Sequence, residues 1–272
     1  MRIVILGEQA TGKSSLLVAL YGALVNHRAA GMRIIRTVDD VEFLSRGLQA
    51  LGRRQSVRRT EVDGQSRLLI DVAHHDAVVS IELPDRSGEL VRLMIEARQW
   101  EHELQHQLAG ASGAVLCLRA DHVQAGTPLD RLPDPAFVTV PAEDQPPAPP
   151  PWSPAQMPAD ARAVDLLQAV LEDRDTDLPL AVVVSAWDRA RGPTEPGAWL
   201  AQHVPLLDQF LTSHDGQLPH RTFGVSAQGA DFAEQADLAR EEDPWDRAFL
   251  VGPDGIRGTI ADPIAWLIDN AM

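Results

Sequence analysis

Residues 7–14 read Gly-Glu-Gln-Ala-Thr-Gly-Lys-Ser, an unbroken match to GxxxxGK[ST]. The octapeptide lies between a short apolar run, Arg2 to Leu6, and a stretch with few helix breakers, Ser14 to Leu24. That order predicts a buried strand, a glycine-rich turn and a helix. In such a turn the glycines let backbone N–H groups wrap around phosphate oxygens, and the helix N-terminus adds a positive dipole end. The lysine then reaches the terminal phosphates and the serine hydroxyl offers an oxygen to Mg²⁺. Gly7, Glu8, Gln9, Ala10, Thr11, Gly12, Lys13, Ser14 and Ser15 are therefore the candidate phosphate-binding residues.

The composition sharpens this reading at one position. Lysine and arginine together number 24, and Lys13 is the only lysine. Ammonium and guanidinium are not interchangeable where a compact point charge must fit inside a loop. The formal charge of −15 disfavours non-specific attraction to nucleic acid or to anionic lipid. One cysteine, Cys117, excludes an internal disulfide and a multi-cysteine zinc site. No apolar run approaches the roughly eighteen residues of a membrane span. The expectation is a soluble, cytoplasmic protein.

Further along the chain, buried-strand patterns end in short polar signatures. Ala77 to Leu83 leads into Asp85-Arg86-Ser87-Gly88, a DxxG. Leu180 to Ser185 leads into Ser185-Ala186-Trp187-Asp188, and Arg221 to Ser226 ends in Ser226-Ala227. With the phosphate loop, this order resembles the translation-factor and Ras-like class of P-loop GTPases. Ser185 to Asp188 looks like that class's NKxD base motif reduced to its aspartate, and Ser226-Ala227 like its SA element. Thr60, 25 residues before Asp85, lies where the class keeps a switch threonine, whereas Thr37, 48 residues before it, is too distant for a simple hairpin.

The resemblance implies a set of roles. Ser14 and Thr60 would hold Mg²⁺, with Asp85 acting through water, and the Gly88 N–H would meet the γ-phosphate. A carboxylate at Asp188 can accept two hydrogen bonds from the guanine edge, a donor pair that adenine lacks. Ala186 removes the lysine that packs across the base, and Trp187 is a candidate to restore stacking. Glu89 follows the DxxG where many relatives carry glutamine, so slow turnover is expected. Arg58 and Arg59 precede Thr60, but a solvated basic stretch accounts for them. The expected activity is a GTP-binding, GTP-hydrolysing switch whose Thr60 and Asp85–Glu89 segments contact a protein partner. Alternatives are a P-loop ATPase with a degenerate base motif, and a nucleotide-gated adaptor with little turnover.

The organisation predicted is α/β: a P-loop NTPase three-layer sandwich with a mostly parallel sheet, one antiparallel edge strand and Ras-like order. Ser66 to Ala73 is expected to pair with Ala77 to Leu83 around a turn at His74-His75-Asp76. Leu90 to Leu108 reads as one helix with Leu90, Leu93, Ala97, Leu104 and Leu108 on one face. Helices are also expected over Ala161 to Arg174, Gly197 to Ser213 and Ile260 to Ala271. A single domain, residues 1–272, would carry a helical insertion at 38–52, a proline-rich loop at 127–158 and an acidic insertion at 229–258. The combination is similar to the bacterial double-GTPase family, whose C-terminal helix often carries a Trp-Leu pair, as in Trp266-Leu267. That similarity implies a bacterial signalling or conflict setting, with a second GTPase subunit as a possible partner.

One competing signal is His102-Glu103-Leu104-Gln105-His106, a literal HExxH. On a helix it would present two imidazoles one turn apart for zinc. Both lie opposite Leu104 on a helical wheel, away from the expected apolar face, so solvated histidines are the simpler reading.

Overall fold

The computed structural model describes residues 1–29, 31–38, 41–55, 57, 68–84, 88–100, 102–123, 151–172, 174, 176–230 and 244–271. Nine strands among them form one sheet, in the order β2-β3-β4-β1-β5-β6-β7-β8-β9. They are β1 Arg2–Leu6, β2 Met32–Val38, β3 Leu68–His74, β4 Ala77–Leu83, β5 Gly113–Arg119, β6 Leu180–Ser185, β7 His220–Ser226, β8 Phe249–Val251 and β9 Arg257–Gly258. The five central strands, β4, β1, β5, β6 and β7, are mutually parallel.

These central strands are mostly apolar because both faces are covered, with Glu82 of β4 as a fully buried exception. Ile3 and Ile5 of β1 enter one core, while Val4 and Leu6 enter the other. The same alternation puts Val115 and Cys117 of β5 on the first face, and Leu116 and Leu118 on the second. Helices α1 Lys13–Val25, α2 Val41–Gly52 and α8 Asp262–Asn270 contribute to the first core. Helices α3 Gly88–Ala97, α4 His102–Ala109, α5 Ala159–Leu171, α6 Pro196–His203 and α7 Pro205–Ser213 contribute to the second. The chain is a three-layer α/β sandwich of the P-loop NTPase kind.

β3 and β4 pair as a hairpin, as expected, but His74 joins the strand opposite Ala77 and Leu68 lies opposite Leu83, so the turn is tighter than His74-His75-Asp76, with His75 at φ 50°. The sheet also extends beyond the expected edge. β2 lies antiparallel outside β3, and β8 and β9 add an antiparallel pair at the far side. Thr37 belongs to β2, opposite Ile70. Helix α2 explains an unusual feature of α1, which is apolar around its whole circumference. Val18 of α1 packs at Gly47 of α2, and Gly22 of α1 lies under the Trp245 ring. A helix hydrophobic on all sides is one covered on all sides.

The single helix expected over Leu90 to Leu108 is corrected to two, α3 and α4. Arg98 takes φ 51° and the Gln99 N–H reaches back to the Met94 carbonyl at 3.1 Å, a Schellman end made without glycine. The expected apolar face shifts as well: Val91, Met94 and Ile95 are buried, whereas Leu93 is 48% exposed. The helix expected over Gly197 to Ser213 also divides, at Val204 before Pro205, because proline cannot donate to the preceding turn. Of the proline-rich loop, residues 127–150 lie outside the described residues. Its end contains a 3-10 turn, Pro154–Gln156, with Ser153 and Gln156 forming a capping box.

Candidate functional site

The carboxyl ends of parallel strands in an open α/β sheet are where ligands bind, because loops diverge there and helix N-termini point inward. The phosphate loop leaves β1 at that edge. Gly7 has φ 137°, Ala10 φ 61° and Gly12 φ 88°, so the chain curls through left-handed conformations before α1 starts. Both glycines are also required by close approach. A Cβ on Gly7 would lie 2.6 Å from the Cys117 carbonyl oxygen, and one on Gly12 would lie 2.6 Å from Ser185 Oγ.

The Lys13 ammonium donates to the carbonyls of Gly7 at 2.7 Å and Glu8 at 2.5 Å. Thr11 Oγ1 donates to the Glu8 carbonyl at 2.9 Å. These bonds hold the ammonium inside the curve of its own loop. Helix α1 has no side-chain cap at Gly12, so its first N–H groups face the loop. Ser14, partly exposed in the first turn, offers an oxygen of the hard kind Mg²⁺ prefers. Ser15 is likewise partly exposed, and Gln9 and Ala10 are exposed at the loop's tip.

The Glu8 carboxylate turns away from the cradle. It accepts from Arg162 Nε of α5 at 2.7 Å, and Arg162 also donates to the Met157 carbonyl. A motif search does not single out Arg162, which lies 154 positions from Glu8.

At β6, Ser185 Oγ donates to the Thr11 carbonyl at 2.8 Å, joining the end of β6 to the phosphate loop. Ala186 then takes φ 52° and opens a 3-10 turn over Trp187–Arg189. Trp187 is only 8% exposed, meets Trp199 edge-on at 6.1 Å and packs against Gly224. The expectation that Trp187 stacks on a base is therefore corrected: its ring is committed to the core. Asp188 is exposed, and its Oδ1 accepts from the buried Ser226 hydroxyl at 2.5 Å. Ser226 Oγ in turn accepts from the Gly229 N–H at 3.0 Å, so the carboxylate is oriented through two residues. Ala227, partly buried, packs beside it against the first core.

Arg119, the last residue of β5, donates through Nε to Asp121 Oδ1 at 2.6 Å and through Nη1 to the Ala10 carbonyl at 3.4 Å. Arg189 Nη1 donates to the other Asp121 oxygen at 2.6 Å. Partial burial raises the Asp121 pKa, but the hydrogen bonds from Arg119 and Arg189 outweigh it and hold the carboxyl well below the usual range. No motif marks this trio. The available signal was position, since Arg119 ends a central strand at the ligand edge.

Gly88 opens α3 and Glu89 follows in its first turn. Thr60, Asp85, Arg58 and Arg59 lie outside the described residues. His102 and His106 are both exposed on α4. Among the described residues, no three His, Cys, Asp or Glu side chains group as metal ligands. No helix among them is long and apolar enough to cross a membrane.

No curated protein matches this chain at a meaningful level of similarity. A profile of the family described as Double-GTPase 1 matches residues 4–267, which takes in the phosphate loop, the Asp188 turn and Trp266-Leu267. The chain belongs to the Double-GTPase 1 family of P-loop GTPases.

Proposed function

We propose that this protein is a guanine-nucleotide switch that hydrolyses GTP slowly to GDP and phosphate. The observation that carries the reading is the tether from Ser185 to Thr11, which couples the phosphate loop to the turn bearing Asp188. A nucleotide with its phosphates at residues 7–15 would offer its base edge to Asp188, whose carboxylate is oriented by Ser226.

Water would attack the γ-phosphorus in line, the bridging oxygen would leave with GDP, and the proton would pass to the phosphate product. Lys13 and the Gly88 N–H would stabilise charge on the γ-phosphoryl oxygens. Glu89 would accept a hydrogen bond from the water, but a carboxylate there would be repelled by the anionic γ-phosphate, which is the ground for proposing slow turnover. Ser14 and Thr60 would hold Mg²⁺, with Asp85 in its outer shell, and the ion would neutralise phosphate charge. Loss of the γ-phosphate would release the Thr60 and Asp85–Glu89 segments and change a surface read by a protein partner. We take the chain as one cytoplasmic domain with long loops, working in a bacterial multi-protein signalling or conflict system. A second GTPase subunit is the partner that the family supports.

The test is a calorimetric titration with Mg²⁺, comparing GDP and GTP with ADP and ATP, alongside phosphate release. A guanine preference of about tenfold, or 1.4 kcal/mol, is expected. Lys13→Ala should abolish triphosphate binding. Adenine preference would overturn the guanine reading, and tight GTP binding without phosphate release would make the protein an adaptor.

A further inference from the structure

We propose that Arg119 positions the nucleoside half of the bound nucleotide, its guanidinium lying against the sugar and base between the phosphate loop and Asp188. The inference rests on the guanine-nucleotide reading and adds a residue to that site.

A continuous chain of contacts links the phosphate loop to the Asp188 turn. The Ala10 carbonyl accepts from Arg119, Arg119 is held by Asp121, Asp121 holds Arg189, and Arg189 follows Asp188 in sequence. One end of this chain is the loop that receives phosphates and the other is the carboxylate aimed at a base edge. In the guanine-nucleotide reading the nucleoside would bridge these two ends, so the trio would run alongside it.

The hydrogen bonding decides which part of Arg119 is presented. Nε and Nη2 both face Asp121, at 2.6 and 3.3 Å, and Nη1 faces Ala10 at 3.4 Å. These contacts are made in the guanidinium plane, which leaves the flat faces for packing. The side chain is 29% exposed, so part of that surface is open. A planar cation in this state stacks well on an aromatic ring. Asp121 keeps its charge because two arginines donate to it, and the orientation of Arg119 is thereby maintained.

Other groups that could serve the base are committed elsewhere. Lys13, the sole lysine, has its ammonium on the Gly7 and Glu8 carbonyls. Ala186 ends at its Cβ, and Trp187 is buried against Trp199. The cationic surface between Ala10 and Asp188 comes instead from Arg119 at the end of β5, with Arg189 held on the other Asp121 oxygen.

The test is calorimetry in Mg²⁺ on the full chain and on Arg119→Ala, Arg119→Lys and Asp121→Asn, using GDP, ADP and inorganic tripolyphosphate. Tripolyphosphate engages the phosphate loop and has no base. Arg119→Ala should weaken GDP about tenfold, in line with a partly desolvated cation–π contact. Tripolyphosphate affinity should change by less than about twofold. Arg119→Lys should keep the fold and lose part of the GDP affinity, since an ammonium lacks the flat face. Asp121→Asn should lose GDP affinity without losing tripolyphosphate. Equal losses for both ligands would overturn the proposal and make Arg119 a brace for the loop. Unchanged GDP binding in Arg119→Ala would overturn it as well. Wild-type protein that takes tripolyphosphate but shows no guanine preference would defeat the underlying guanine reading first, and that outcome is visible before any variant is measured.

Discussion

Ser185 Oγ and the Thr11 carbonyl oxygen lie 2.8 Å apart, 174 positions from one another in the chain. The hydroxyl at the end of β6 thus braces the phosphate loop at the residue before Gly12. Gly12 has no room for a side chain because Ser185 occupies that space.

Ser185→Ala removes the brace without filling space. The lost hydrogen bond is worth about 1 kcal/mol, so nucleotide and tripolyphosphate affinity should fall together by roughly fivefold. Calorimetry with both ligands checks this, and a loss confined to GDP would contradict it. The pattern is opposite to the one expected for Arg119.

The Glu8–Arg162 pair joins the phosphate loop to α5, with both side chains about four-fifths buried. Arg162→Ala would leave a carboxylate unpaired inside a loop that must accept phosphate. Nucleotide affinity should drop by about tenfold, and Glu8→Gln in the same chain should restore most of it. A double-mutant cycle on GDP binding reads the coupling, and additive losses would show that the two residues act separately.

Burial pushes the Cys117 thiol up to about 12, with the Lys13 charge offsetting part of the shift. The native protein should therefore resist a thiol reagent at pH 8, and should react once unfolded in urea. The sign of the stability effect follows from linkage. Between the ordinary value of 9.0 and about 12, the unfolded chain releases the proton that the folded chain retains. Stability from this group is complete below pH 9 and falls as pH rises through that window. Cys117→Ser, titrated alongside by urea unfolding, should show a flatter decline above pH 9.

Helix α1 ends with His27 at φ 55°, exposed, while the Arg28 N–H bonds to the Ala23 carbonyl at 2.8 Å. A left-handed conformation costs a non-glycine residue about 1–2 kcal/mol. His27→Gly should stabilise the fold by about 0.5–1 kcal/mol after the greater entropy of unfolded glycine is deducted. The urea midpoint should rise with an unchanged slope, and His27→Ala should give no gain. A lower midpoint for the glycine variant would exclude strain at this helix end.

The same kind of helix end explains one failure of sequence reading. Nothing in Leu90 to Leu108 announces a break, because the left-handed residue is Arg98 rather than glycine. The extra edge strands were hidden for another reason. β8 and β9 have three and two residues, too short to establish a period of two, and they exist through pairing with β7 and with each other.

Within the site, legibility followed chain distance. The loop from Gly7 to Ser15 could be read because a phosphate cradle needs consecutive backbone groups, and those residues adjoin. The central strands could be read because burial on both faces demands an uninterrupted apolar run. Asp188 and Ser226 were found at the ends of such runs, but their mutual hydrogen bond belongs to the pairing of β6 with β7. Arg119 reaches Ala10 across 109 positions and Arg162 reaches Glu8 across 154. Side chains meeting over such distances leave no local spacing or composition to detect. Trp187 makes the same point in reverse. Its neighbours in sequence suggested a base platform, yet the free energy of burying a large aromatic ring against Trp199 and Gly224 turned it into the core. Adjacent residues carried the chemistry of the phosphate loop, and packing between distant segments chose the groups that surround it.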